Sequence, residues 1–153
     1  MAQVIDYIDE KGYRTIVTAS NDPAEMEMVE DIISKCKLQP YNLSGELTLK
    51  ELAYLSSKSD LFFGVDSALM HMAASLDKPI VALMGASRAD IWGTLGNSIS
   101  CSYSQSTKIH KVGKNSIITS NNYEHFFEQG IKKCQGMVEI DCSEVKALLD
   151  EKI

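Results

Sequence analysis

The residues predict an α/β protein in which a parallel sheet is covered by helices on both faces. Three observations carry this. Short β-branched or apolar runs alternate with segments of helical periodicity. Two of those runs, Asp60–Val65 and Pro79–Met84, are almost unbroken in apolar character, as strands covered on both faces are. The runs follow one another at short spacing, as in chained strand–helix–strand units.

Ala2 to Lys11 reads as a helix with Val4, Ile5 and Ile8 on its apolar face and Gly12 at its end. Arg14 to Ala19 is a β-branched strand. Ser20-Asn21-Asp22-Pro23 turns the chain into a helix capped by Asp22, with Pro23 first and Glu25 at capping-box spacing. Val29, Ile32, Ile33 and Cys36 recur on one side of it. Pro40–Leu43 reads as a short strand. Thr48 and Glu51 form a second capping box, opening a helix that runs to Lys58. After the Asp60–Val65 strand, Asp66 to Leu76 reads as a helix buried nearly all round, and Pro79–Met84 as a second buried strand closed by Gly85. Ser98–Tyr103 reads as a strand. Ser104–Asn122 reads as a solvated loop or hairpin whose Lys108, His110, Lys111 and Lys114 are alternatively a phosphate or acceptor contact. Asn122–Lys133 reads as a helix packing Phe126, Phe127 and Ile131 inward, and the last helix starts at Cys142 with Ser143 as its cap.

Composition narrows the function classes. The chain has 153 residues, 44% of them hydrophobic, which suits one domain with a real core. A formal charge of −6 argues against a general nucleic-acid binder and against broad attraction to anionic membranes. No apolar run approaches the roughly 18 to 20 residues that a spanning helix needs. The first residues lack the basic and apolar regions of a signal peptide. Cys36, Cys101, Cys134 and Cys142 form no C-x-x-C pair, so they read as reduced thiols of a cytoplasmic protein, not as a metal or redox site.

In parallel α/β sheets ligands bind where strands end. Gly64-Val65-Asp66-Ser67 and Gly85-Ala86-Ser87-Arg88 are two such ends on consecutive strands. The first turn of a helix has unpaired amides and partial positive charge, which suits a diphosphate. Ala68 is small enough to let a ligand near the backbone, and His71, four residues after Ser67, lies one turn on. Asp66 and Ser67 are equally ordinary helix caps, and His71 is equally a core histidine that needs a partner. No G-x-G-x-x-G or Walker loop is present, so a dehydrogenase or NTPase has no support.

Leu43–Ala53, Phe63–Ala74 with its D-S-A-x-M-H-M-A-A run, and Lys78–Gly85 together resemble the heptosyltransferases of glycosyltransferase family 9, most of all the heptosyltransferase III-like branch. The resemblance runs on to the tail, where Met137, Ile140 and Val145 fit a closing helix pattern. It implies a Rossmann-like three-layer αβα parallel sheet, the C-terminal half of a GT-B fold lacking its first strand, with residues 1–153 as a single nucleotide-sugar-binding domain. It implies ADP-heptose as donor, a lipopolysaccharide core acceptor bound by a missing domain, no cofactor and no metal. Asp66, Ser67, Ala68 and His71 match the donor motif, Leu47 a position near the adenine, and Asn21 or Asp22 one near the ribose. Leu69 stands where the motif has proline, Ala86 replaces the second residue of a G-P pair, and Arg88 replaces an acidic or polar one. The family's catalytic base belongs to the acceptor domain and a phosphate-facing basic residue follows the first strand; neither has a counterpart here. The resemblance thus implies donor binding without transfer, in a cytoplasmic protein peripheral to the inner membrane when full length. The alternatives are a non-catalytic binding or assembly module, homo-oligomeric through an open sheet edge, and a family 9 transferase that uses another nucleotide sugar.

Overall fold

The computed structural model describes residues 1–85, 89–94, 99–103, 107–120, 125–128 and 131–153. The chain divides into two compact units, Met1–Leu52 and Ala53–Ile153. No described helix is long and apolar enough to cross a membrane.

The first unit begins with α1 (Ala2–Glu10), which buries Val4, Ile5 and Ile8 and ends before Gly12 at φ +88°. The expected strand at Arg14–Ala19 shortens to β1 (Ile16–Val17), which pairs in parallel with β2 (Tyr41–Asn42). Between them runs α2 (Pro23–Ser34). Asp22 caps it, accepting from the amides of Ala24 and Glu25 at 3.0 and 3.2 Å. Glu25 does not close a box on Asp22; its carboxylate accepts from the amide and hydroxyl of Ser20 instead.

The capping box at Thr48 forms in both directions. Glu51 Oε2 accepts from the Thr48 amide at 2.8 Å and hydroxyl at 2.7 Å, and the Glu51 amide points back at Thr48 Oγ1. It opens α3 (Leu49–Lys58), which leads into the second unit.

The second unit is built on a five-stranded sheet. β3 (Phe62–Val65), β4 (Ile80–Met84) and β7 (Asn115–Ser120) run parallel, and β6 (Thr107–Val112) and β5 (Ile99–Tyr103) extend the sheet antiparallel, in the order β3-β4-β7-β6-β5. The α/β expectation therefore holds, with parallel pairing confined to three strands of this sheet. α4 (Ala68–Ser75) connects β3 to β4, and α5 (Ala89–Trp92) follows β4. Met70 and Ala73 of α4 meet Ile80, Ala82 and Met84 of β4 and Ile117 of β7 in the core, with Phe62 against them.

Several expectations change. β4 is buried along its whole length, but β3 is half-exposed because it pairs on one side only among the described residues. α4 is not buried all round: it packs one face on the sheet and leaves Ala68, His71 and Ser75 exposed. Residues 107–120 form a hairpin, as one reading allowed, yet it is not solvated. β7 is buried at every position and lies in the middle of the sheet. The helix expected over Asn122–Lys133 is instead a hairpin of β8 (His125–Glu128) and β9 (Ile131–Cys134). Phenylalanines favour strands, and Gly130 is unfavourable inside a helix. α6 (Gln135–Glu139) and α7 (Cys142–Asp150) close the chain. Asp141, not Ser143, caps α7, accepting from the Ser143 amide at 2.7 Å. Ser98, Ser104 and Asn122 lie outside the described residues.

Ile117 is fully buried, so Ile117→Ala should cost about 2–5 kcal/mol in urea unfolding. The hydroxyl and amide of Ser143 hold the Asp141 carboxyl below its ordinary range, and those of Thr48 do the same for Glu51. Folded values depressed in this way give stability that is present above the unfolded pKa and lost as pH falls through the folded one. The variant Asp141→Asn/Glu51→Gln should therefore lose less stability than the parent between about pH 5 and about pH 2, measured by denaturant titration at each pH.

Candidate functional site

At the carboxyl end of β3 the chain leaves the sheet at Asp66. Ser67, with φ −158° and ψ 163°, is the N-cap of α4, and its hydroxyl accepts from the Met70 amide at 3.3 Å. The helical hydrogen-bond ladder leaves the amides of Ala68 and Leu69 without intrahelical partners. Ala68 is exposed, so nothing bulky among the described residues covers it.

His71 stands one turn up α4. Its side chain is 45% exposed, so it is not a core histidine that needs a buried partner. Its Nε2 lies 3.9 Å from Asp66 Oδ1, within ion-pair range when the ring is protonated but too long for a hydrogen bond. The structure thus brings Asp66, Ser67, Ala68 and His71 together on one half-exposed turn. A carboxylate and an imidazole flank free amides at a helix start. The amides suit an anion, and the carboxylate suits hydroxyl donors.

The second strand end converges with the first. β3 and β4 are parallel, so Gly85 emerges on the same side of the sheet. Its backbone is close-packed: a Cβ there would sit 2.4 Å from Met137 Cγ and 2.9 Å from Cys134 Sγ. Ala86, Ser87 and Arg88 lie outside the described residues.

Asn21 and Leu47 belong to the first unit. Both lie on loops beyond the carboxyl ends of β1 and β2, which share one direction. Gly45, at φ +73°, faces Asn21 at 3.5 Å from the position its Cβ would take. Asn21 is exposed and Leu47 half-buried.

Sequence reasoning passed over the polar groups that β7 and β6 bring to the same end of the sheet as Gly85. Ser120 Oγ donates to Glu139 at 2.9 Å, and Thr107 Oγ1 donates to Glu144 at 2.8 Å. The Ile117-Ile118-Thr119 run was their signal. The basic cluster is split: Lys108 stands opposite Thr119 at that same end, while the other two lysines do not gather there. Lys111 pairs with Glu151 at 2.6 Å and Lys114 with Asp77 at 2.7 Å, near the opposite end of β7. No group of three or more His, Cys, Asp or Glu side chains able to hold a metal occurs among the described residues. Cys36, Cys134 and Cys142 are free thiols, and burial raises the Cys36 pKa with help from Asp6 and Asp9.

The family model of glycosyltransferase family 9 (heptosyltransferase) matches residues 1–121. Lipopolysaccharide heptosyltransferase 3 of Escherichia coli is 34% identical over 97 residues, covering 63% of this chain and 28% of that protein. Lipopolysaccharide core heptosyltransferase OpsX of Haemophilus influenzae is 33% identical over 82 residues, covering 54% and 24%. The solved structure of E. coli ADP-heptose lps heptosyltransferase II matches with a TM-score of 0.71 at 21% identity, over 98% of this chain and 39% of that one. That of a family 9 glycosyl transferase from Veillonella parvula matches at 0.52 and 33% identity, over 57% and 24%. The chain spans about a quarter of the length of the curated relatives it matches.

Ser67 and His71 differ in what the fold asks of them. Ser67→Ala should cost about 1 kcal/mol through the lost cap. His71→Ala should stay within about 0.5 kcal/mol of the parent, because its ion pair is long and solvated. Urea unfolding of the two variants checks this; an equal loss in both would make His71 a structural residue.

Proposed function

Because the chain belongs to glycosyltransferase family 9, we propose that residues 1–153 act as one nucleotide-sugar-binding domain of GT-B type that holds ADP-heptose for transfer to the lipopolysaccharide inner core. The observation that carries this is the turn at Asp66–Ser67, where a parallel strand ends and α4 begins at exposed Ala68 with amides that the helix ladder leaves unpaired. Those amides and the helix dipole receive the diphosphate. Asp66, a carboxylate, is unsuited to a phosphate and instead accepts from sugar hydroxyls. His71 adds a donor one turn away. Leu47 lies against the adenine and Asn21 near the ribose, roles that rest on the family resemblance.

Transfer needs a base within hydrogen-bond reach of the acceptor hydroxyl. In this reading the base comes from an acceptor domain outside these residues, so the chain alone binds donor and transfers nothing. It works in the cytoplasm, meeting its acceptor at the inner membrane. That the curated relatives and the solved heptosyltransferase II are far longer than their matched portions supports this division.

A second reading, an assembly module, is favoured by one feature. β3 is an edge strand among the described residues and carries no charge, proline or other guard along Phe62-Phe63-Gly64-Val65, with Val65 42% exposed. Sedimentation at rising concentration decides it: a strict monomer rejects self-assembly, and a dimer abolished by Val65→Lys supports it.

Titration calorimetry tests the main reading. ADP should bind the parent with measurable heat, and Asp66→Ala and His71→Ala should each weaken ADP-heptose about tenfold, the loss of one good polar contact. Parent protein without heat at millimolar ADP would sink the donor reading. Variants that bind like the parent would remove those residues from it.

A further inference from the structure

We propose that Met137, on α6, is a positioning residue for the donor site: it presses on the α-carbon of Gly85 and so fixes the end of β4 level with Asp66 and Ser67. The inference rests on the donor reading above. Gly85 is not among the glycines with positive φ, so its backbone conformation does not demand glycine. Space does. A Cβ at Gly85 would lie 2.4 Å from Met137 Cγ, 3.0 Å from its Sδ and 2.9 Å from Cys134 Sγ.

The contact matters because of where Gly85 stands. The register pairs Val65 with Leu83. Two residues on from that pair come Ser67, past the end of β3, and Gly85, just past the end of β4, so both exits follow from one level of the register. Upstream of Gly85, β4 is paired with β7 along its whole length and with β3 as far as Leu83, and it is buried throughout, so its course is fixed. Gly85 is the first residue past that pairing, and α6 is what packs on it. α6 is itself tied to the next strand, since Glu139 accepts from Ser120 of β7 at 2.9 Å. The helix thus spans the ends of β4 and β7 and sets how close the β4 end comes to the α4 start.

The test is a steric double-mutant cycle on the whole chain, carried in a Cys134→Ala background because Cys134 Sγ would also meet the added methyl. Gly85→Ala should shift the amide resonances of Ser67 and Ala68 in the ligand-free protein and weaken ADP about tenfold, the scale of coupling between touching residues. Met137→Ala in the Gly85→Ala background makes room for the added methyl and should restore both readouts. Met137→Leu, which keeps the contact, should bind ADP like the parent. A folded Gly85→Ala protein with parental shifts and affinity overturns the proposal, as does a double variant that recovers neither. If Gly85→Ala fails to fold, Met137→Ala alone decides it: unchanged Ser67 and Ala68 resonances reject the positioning role. Parent protein that takes up no ADP defeats the donor reading, while the amide shifts still judge the Met137 contact.

Discussion

The second unit depends on β4. All five of its residues are paired in parallel with β7 and four of them also with β3, and none is more than 7% exposed. Such a strand satisfies its backbone groups laterally and its side chains above and below, so a displacement breaks both sets at once. α4 packs Met70 and Ala73 against it, which fixes where α4 begins. The candidate site is a consequence of that anchoring. Asp66 and Ser67 are placed by a strand that is only half-buried, and the fully buried neighbour gives them a fixed reference.

Ser67 links the fold to the proposed chemistry. Its hydroxyl serves the Met70 amide and so cannot also be a free ligand group at no cost. What the turn offers an anion is the pair of backbone amides that the cap leaves open, together with the helix dipole. Exposed His71 and half-buried Asp66 flank this point, and their mutual contact at 3.9 Å is loose. A long, solvated pair contributes little to stability, which leaves both groups available to a ligand. The two functions of the turn are thus separable: the cap holds the helix, and its neighbours face outward.

Much of this was legible in the residues. The D-S-A-x-M-H run, the capping box at Thr48–Glu51, the Asp22–Pro23 helix start and the apolar Ile80–Met84 strand all express local rules, and all form. Two of the misreadings share one cause. β7 carries hydroxyls at Ser116, Thr119 and Ser120, and polarity along a chain reads as exposure, yet Ser120 and Thr119 find Glu139 and the Lys108 carbonyl as partners inside the fold. Lys111 and Lys114 read as a free basic cluster, and distant carboxylates at Glu151 and Asp77 pair with them. In each case the deciding partner is remote in sequence.

The sequence by itself determined the α/β class, the helix starts and the identity of the strand–helix turn at Asp66–Ser67, because caps, periodicity and β-branched runs act over a few residues. Tertiary structure alone decided which strand is central, where the parallel pairing stops, that His71 is exposed, and that Gly85 must lack a side chain. Those outcomes depend on lateral strand pairing and on the approach of α6 from about fifty residues away, contacts that no local pattern encodes.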